Sequence, residues 1–265
     1  MDIGCIPHID EISAQHGPFL GGAEKRTHSF FERMRYDNKI VHSLREAIEK
    51  TGLRDGMAIS FHHHFRNGDY IVNMVLEEIA RMGIKNLTLA ASSLTTIHAP
   101  LIGHIQNGVI THIETSGLRG RLAEAVSGGL MDFPVVFRSH GGRAAAIESR
   151  EFHIDVAFLG APSCDPYGNA NGYNRDEESG SCCGSMGYAK LDALYAEKTV
   201  IITDHIVRFP NAPFGIPESN VDYVVQVDSI GDPGGIMSGA TRFTTNPKEL
   251  LIAKMAAEVK RVAPL

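Results

Sequence analysis

Seven short apolar runs, separated by stretches with helical spacing, constrain the fold of this chain more than any other feature. The runs are Met57–Phe61, Leu87–Ala91, Val109–Ile113, Val135–Phe137, Ile154–Leu159, Thr199–Thr203 and Val221–Val227. Nearly continuous apolar runs are typical of strands that are covered on both faces. Strands that alternate with helices indicate a parallel sheet. The predicted fold is therefore α/β, a Rossmann-like, open, mainly parallel sheet flanked by helices.

Capping residues predict where several helices begin. Asp37 or Asn38 is predicted to cap a first helix with an apolar face made of Ile40, Val41, Leu44 and Ile48. Asp69 is predicted to cap the helix after the first strand. Asn246–Glu249 combines an Asn cap, a Pro at the first helical position and a Glu three residues after the cap, so it predicts a final helix.

Composition excludes several classes of protein. Of the 265 residues, 43% are hydrophobic, which is enough for a full core without disulfides or a structural metal. The net charge of −6 argues against a nucleic-acid partner and against a basic membrane-surface protein. Every apolar run falls well short of the roughly 20 residues that span a bilayer. Met1–Cys5 lacks a basic n-region followed by an apolar h-region, so no signal peptide is expected. Four cysteines without a C-x-x-C pair fit a reducing cytoplasm, so we expect a cytoplasmic protein with no membrane partner.

The chain divides into two parts by pattern. Residues 1–36 carry scattered His, Gly-Pro and Gly-Gly without periodicity, and they are predicted to form an N-terminal arm. Regular alternation begins at residue 37, so residues 37–265 are predicted to form one α/β domain.

The loop Ser60–Asp69, with three consecutive histidines, follows the first predicted strand. Ligands of open α/β sheets bind at the carboxyl ends of the strands. Arg66 and Gly68 lie just before a helix start, where a guanidinium and backbone N–H groups suit a carboxylate or phosphate. His62 and His63 are candidates for anion binding or acid–base work, and a structural role is the alternative. No third ligand stands at diagnostic spacing, so no metal site is predicted.

A second loop of this design, Ser139-His140-Gly141-Gly142, follows the fourth predicted strand. Its paired glycines could direct N–H groups at an oxyanion, and a flexible turn is the alternative.

Sequence patterns of other enzyme classes are missing: the sequence has no G-x-S-x-G, no G-x-G-x-x-G and no G-x-x-x-x-G-K-[ST]. A Ser-His-Asp hydrolase, a dinucleotide-binding enzyme and a P-loop ATPase are therefore poor fits.

Several ordered motifs resemble a known family. They are Ser60–His63, Val72–Val75, Gly117–Glu124, Ser139–Arg143, Asp155–Ser163, Gly168–Gly172, Gly239–Arg242, Thr244–Pro247 and Glu249–Ala253. These motifs resemble the α half of CoA-transferases, and more closely the α chains of citrate lyase. The resemblance runs from about Leu44 to about Val259.

The resemblance implies a thioester exchange. Family α chains act as citrate CoA-transferases, which exchange acetyl for citrate on an acyl carrier (gamma) subunit, and a lyase (beta) subunit then cleaves the citryl thioester. Acetyl-CoA or the CoA-derived prosthetic group of the carrier would be a substrate, with no permanently bound cofactor. Family members resemble two CoA-transferase halves in one chain, whereas this sequence matches the first half. We therefore expect a homo-oligomer or pairing with a second such half, and we assign no nucleophile.

The same resemblance, together with the loop chemistry, assigns candidate residues. Those for citrate or oxyanion contact are His62, His63, Arg66, Gly68, Ser139, His140, Gly141 and Gly142. Those for the groove that holds the CoA-like arm are Ser92, Ser93, Thr115, Ser116, Gly117, Ala161, Pro162, Ser163, Asn169 and Asn171. Three alternatives stay open: a transferase for another acid such as citramalate or acetate, a non-catalytic binding half, and a sugar-phosphate isomerase or sensor of the same broad fold.

Overall fold

Ten strands are present in the part of the chain that the computed structural model describes, which comprises residues 10–11, 14, 38–173, 183–184, 186–236 and 245–262. They are β1 (Ile40–Val41), β2 (Ala58–Phe61), β3 (Leu87–Ala91), β4 (Ile110–Thr115), β5 (Val136–Phe137), β6 (Val156–Gly160), β7 (Ser163–Cys164), β8 (Ala170–Asn171), β9 (Lys198–Thr203) and β10 (Tyr223–Gln226). Eight of them form one sheet in the order β1-β10-β9-β6-β2-β3-β4-β5, and every pair in it is parallel. β7 and β8 form a separate antiparallel pair. The predicted fold class is confirmed.

Helices lie between the strands along the chain and after the last strand. They are α1 (Leu44–Thr51), α2 (Ile71–Arg81), α3 (Leu101–Gln106), α4 (Gly120–Ser127), α5 (His140–Glu148), α6 (Ala189–Tyr195), α7 (Pro233–Ile236) and α8 (Pro247–Val262). Short 3-10 helices cover His63–Gly68, Thr96–His98 and Glu218–Asn220. In the described residues no helix is both long enough and apolar enough to cross a bilayer.

One of the three predicted helix starts is confirmed, one is displaced by one residue and one is wrong. Asn246 Oδ1 accepts a hydrogen bond from Lys248 N at 3.0 Å, as predicted. The N-cap of α2 is Tyr70 and not Asp69, although Asp69 Oδ1 accepts from Ile71 N at 2.7 Å. The helix predicted from Asp37 or Asn38 is wrong, because Ile40–Val41 is a strand that pairs with β10. Helix α1 begins only after Ser43, whose side chain accepts from Glu46 N. Strand pairing with a distant segment outweighed the helical spacing of four local residues.

The order of the strands reverses between β2 and β6. From β2 the chain steps through β3 and β4 to β5 in one direction, and from β6 it steps through β9 to β10 in the other. Because crossover connections are right-handed, helices on the two sides of this reversal lie on opposite faces of the sheet. The core runs through the reversal: the buried rings of Phe61 and Phe158 stack with centroids 5.8 Å apart.

The predicted division into an arm and a domain stays a prediction. Most of residues 1–36 lie outside the described part of the chain.

Candidate functional site

The reversal between β2 and β6 creates a crevice at the carboxyl ends of the strands. In open α/β sheets this is where ligands bind. We call the loop after β2 (residues 62–69) together with residues 161–163 after β6 the switch-point crevice. The His62–Gly68 candidates and the Ala161–Ser163 candidates therefore meet at one place, although about ninety residues separate them in the chain.

Tight backbone packing anchors the loop after β2 at both ends. The ring of Phe65 is 1% exposed and lies against Gly160 at the end of β6. Gly68 is pressed against the 231–236 segment, where a Cβ on Gly68 would lie 2.4 Å from the carbonyl oxygen of Asp232. A side chain at either glycine would push the loop away from the sheet.

Arg66 lies between these anchors in a backbone conformation that is rare for a residue with a side chain. Its φ is 53° and its ψ is −131°. Such a conformation costs on the order of 1–3 kcal/mol and persists only where the surrounding structure imposes it. Its side chain is exposed, so the anchored loop presents a guanidinium to solvent at the crevice.

A buried hydrogen-bond chain joins the loop after β2 to the loop after β3. His98 Nδ1 accepts from the backbone N–H of Thr95 at 2.9 Å, so the ring proton lies on Nε2. Nε2 then donates to Asp69 Oδ2 at 3.2 Å, while the other oxygen of Asp69 accepts from Ile71 N at the start of α2. The two loops are thereby held in one arrangement.

Five of the predicted groove residues lie at the carboxyl ends of β3 and β4, close together. They are Ser92, Ser93, Thr115, Ser116 and Gly117. Ser116 N donates to Ser92 O at 3.3 Å, and Leu94 N donates to Gly117 O at 2.8 Å. The Ser116 hydroxyl is buried and has no hydrogen-bond partner among the described residues, so it is available to a ligand.

The Ser139–Gly142 candidates begin helix α5. Ser139 Oγ accepts from Gly142 N at 3.0 Å, which is an ordinary helix cap. An oxyanion would therefore compete with this cap for Gly142 N–H. His140 is exposed at the helix start.

Arg143, in the first turn of α5, is buried and belongs to a closed polar network. Its guanidinium donates to Asp192 Oδ1 and Oδ2 at 2.7 and 2.8 Å and to Ser60 Oγ at 2.8 Å. Ser60 Oγ in turn donates to Asp192 Oδ2 at 2.6 Å. Burial by itself would lower the pKa of the Arg143 guanidinium, but the Asp192 carboxylate outweighs it and the pKa is raised. The guanidinium is therefore held in its charged form.

Three aromatic rings cluster beside this network. The Tyr188 ring stacks on His62 with centroids 6.2 Å apart and lies 5.5 Å from the His140 ring. The sequence analysis missed Tyr188, because no local motif surrounds it. His63 lies in the 3-10 helix after β2, and its side chain is outside the described part of the chain.

The candidates Ser163, Asn169 and Asn171 have structural hydrogen bonds. All three are at most 4% exposed. Ser163 Oγ donates to Tyr173 O, Asn169 Nδ2 donates to Asp165 and Glu218, and Asn171 Nδ2 donates to Pro213 O. Ala161 and Pro162 are buried as well. The assignment of the groove to these five residues stays a prediction.

Asp165 organises the glycine-containing segment that carries those asparagines. Its Oδ1 accepts from the backbone N–H groups of Tyr167, Gly168 and Asn169, and its Oδ2 accepts from Asn211 N. Gly172 has no room for a side chain, because a Cβ there would lie 1.6 Å from the carbonyl oxygen of Gly184. The packing of the protein itself therefore accounts for the glycine and asparagine pattern that the sequence suggested for a ligand.

Comparisons with known proteins agree with this architecture. The fold is similar to that of glutaconate coenzyme A-transferase from Acidaminococcus fermentans (18% identity, TM-score 0.53, 75% of this chain and 77% of that one). The α subunit of citrate lyase from Streptococcus mutans, crystallised in complex with citrate, is 59% identical (TM-score 0.74, 86% of this chain and 44% of that one).

The sequence comparisons identify the family. The citrate lyase alpha chain of Haemophilus influenzae is 55% identical over 223 residues, which are 84% of this chain and 44% of that protein. This chain spans less than half the length of the curated relatives it matches, from 43% to 47%. The family described as citrate lyase, alpha subunit (CitF), matches residues 37–264. The chain belongs to the citrate lyase alpha subunit family, as its motifs predicted.

Proposed function

We propose that this chain is the citrate CoA-transferase component of citrate lyase and that citrate binds in the switch-point crevice. The observation that carries the proposal is the 59% identity to an α subunit crystallised with citrate, over 86% of this chain. The crevice supplies suitable chemistry. Arg66 is exposed on an anchored loop that also carries His62, and His140 begins α5 at the same edge of the sheet.

The reaction that we propose is the exchange of acetyl for citrate on a thioester. The acyl group would be carried by acetyl-CoA or by the CoA-derived prosthetic group of an acyl carrier (gamma) subunit, and a lyase (beta) subunit would cleave the product. A carboxylate of citrate must be held against the thioester carbonyl, and donors must face the oxyanion that forms. A cytoplasmic location, which the cysteine content favours, belongs to the same proposal.

A second candidate function is favoured by the length of the match, because this chain covers less than half of each relative. This chain would bind citrate, and a second CoA-transferase-like half would complete the catalytic site. The curated relatives match this chain over less than half of their own length. No nucleophile is assigned among the described residues.

Citrate binding and transferase activity separate the two candidates. Calorimetry with citrate tests binding, and mass spectrometry of citryl-CoA formed from acetyl-CoA and citrate tests activity. The activity assay is run with the chain alone and with the remaining half of a relative added as a separate polypeptide. Activity of the chain alone supports a complete site, and activity only after the addition supports the binding half.

Arg66→Ala tests the placement of the site. The loss of a charged hydrogen bond to citrate is expected to weaken binding by about tenfold or more. Arg54→Ala is the matched control, because Arg54 is also exposed but precedes β2 at the opposite edge of the sheet. Equal citrate affinity in both variants would exclude the crevice as the site. A melting temperature that is raised by sugar phosphates and not by citrate would support the sugar-phosphate alternative.

A further inference from the structure

The buried network Ser60–Arg143–Asp192 lies directly beside the ring cluster His62–His140–Tyr188, and each network residue has one ring residue close to it in the chain. Ser60 is two residues before His62, and residues two apart on an extended segment share a side. Arg143 is three residues after His140 in α5, and Asp192 is four residues after Tyr188 at the start of α6. Residues three or four apart share one face of a helix.

The two groups differ in exposure. The residues of the network are at most 5% exposed, whereas His140 is exposed and His62 and Tyr188 are half-buried. Each network residue comes from a different element, namely β2, α5 and α6. Hydrogen bonds of 2.6–2.8 Å within the network therefore set the mutual positions of the three rings.

Stability alone does not explain this network. Well-packed apolar side chains can replace a buried ion pair with little loss of stability, because desolvation offsets most of the attraction. A bidentate guanidinium–carboxylate pair with a bound hydroxyl, in contrast, fixes distance and orientation at the same time. Such a network suits the end of the sheet where ligand-contacting groups must be held in register.

We infer that Ser60, Arg143 and Asp192 are positioning residues that hold His62, His140 and Tyr188 as one ligand-contacting surface, and that Tyr188 is a third substrate-contacting residue. The ligand class rests on the proposed function: two imidazoles and a phenol supply N–H and O–H donors to a carboxylate of citrate. Tyr188 donates from its hydroxyl to a carboxylate oxygen.

The decisive variant replaces the whole network, Ser60→Ala/Arg143→Met/Asp192→Leu, so that no buried polar group is left without a partner. We expect a melting temperature close to that of the unchanged protein. Nuclear Overhauser contacts between the Tyr188 ring and the rings of His62 and His140 should be lost. The Kd for citrate should rise by about tenfold or more. A folded variant that keeps the ring contacts and the citrate affinity would overturn the inference.

Single variants decide the matter if the triple variant does not fold. Ser60→Ala removes one hydroxyl and leaves the ion pair, and weaker ring contacts with weaker citrate binding support the positioning role. Unchanged ring contacts and affinity in Ser60→Ala would contradict it.

Tyr188→Phe keeps the ring and removes the hydroxyl, so we expect unchanged ring contacts and a Kd about tenfold higher. An unchanged Kd would show that Tyr188 does not contact the ligand.

The ring contacts also separate this inference from the proposed function. They are measured without ligand, so they test the positioning role even if the unchanged protein does not bind citrate. In that case the proposed function fails, and the response of the ring contacts to the triple variant still supports or contradicts the positioning role.

Discussion

The ring of Phe65 occupies the space that a side chain on Gly160 would need. A Cβ on Gly160 would lie 2.0 Å from Phe65 Cε2 and 2.7 Å from Cζ. Gly160 ends β6 and Phe65 lies in the loop after β2, so this contact joins the two strands on either side of the switch point. Because Gly160 has no side chain, Phe65 packs against it, and this contact positions the loop that carries Arg66.

Gly160→Ala is therefore expected to destabilise the protein. The added methyl group displaces the Phe65 ring, and overpacking of this kind costs about 1–3 kcal/mol of the free energy of unfolding. Urea unfolding measures the change. Gly103→Ala is the matched control: Gly103 lies inside α3 with no atom within 4 Å of its Cβ position, so alanine there should stabilise by about 0.5–1 kcal/mol. Equal effects at both positions would contradict the steric explanation.

Arg66→Gly and Arg66→Ala separate backbone strain from charge. Both remove the guanidinium, but only glycine adopts a φ of 53° with a ψ of −131° readily. We expect Arg66→Gly to be more stable than Arg66→Ala by about 1 kcal/mol, whereas both variants lose citrate affinity to the same extent. Thermal unfolding and calorimetry give the two quantities. If Arg66→Ala is the more stable variant, the backbone of Arg66 is not strained.

Asp69→Asn tests the chain between the two crevice loops. The asparagine can still accept from Ile71 N, but its amide N–H₂ then faces the Nε2–H of His98, whose other nitrogen accepts from Thr95 N. Two donors that face each other in a buried site should lower the free energy of unfolding by about 1–3 kcal/mol. A double-mutant cycle with His98→Gln should give a coupling energy of at least about 0.5 kcal/mol. Additive effects would show that the two side chains do not interact.

His104 makes stability depend on pH. Burial in α3 lowers its pKa, and the nearby Glu77 only partly opposes this effect. As the pH falls below about 6.5, the unfolded chain protonates this histidine while the folded chain does not, so the free energy of unfolding falls. His104→Gln should therefore lose less stability than the unchanged protein between about pH 7 and pH 5.5. The exposed His42→Gln serves as the comparison, and parallel pH profiles for the two variants would contradict the prediction.

Local patterns in the sequence determined the secondary structure and the family. The runs at Leu87–Ala91 and Thr199–Thr203 became strands because both faces of the sheet are covered, and such strands have a readable composition. The cap at Asn246 was also predictable, because a cap acts within two or three residues. The motif order indicated the family, which the match over residues 37–264 confirmed.

Only the tertiary structure decided which side chains meet. Ile40–Val41 has helical spacing with Leu44, yet it is a strand because β10, far along the chain, offers a pairing edge. Asn169 and Asn171 have the composition of a ligand loop, but buried groups within the protein use their side chains. The Tyr188 ring lies close to His62 and His140 because the crossover connections place α5 and α6 side by side on one face of the sheet. Periodicity and caps are local properties of a chain, whereas a site at a switch point depends on the strand order, which long-range pairing sets.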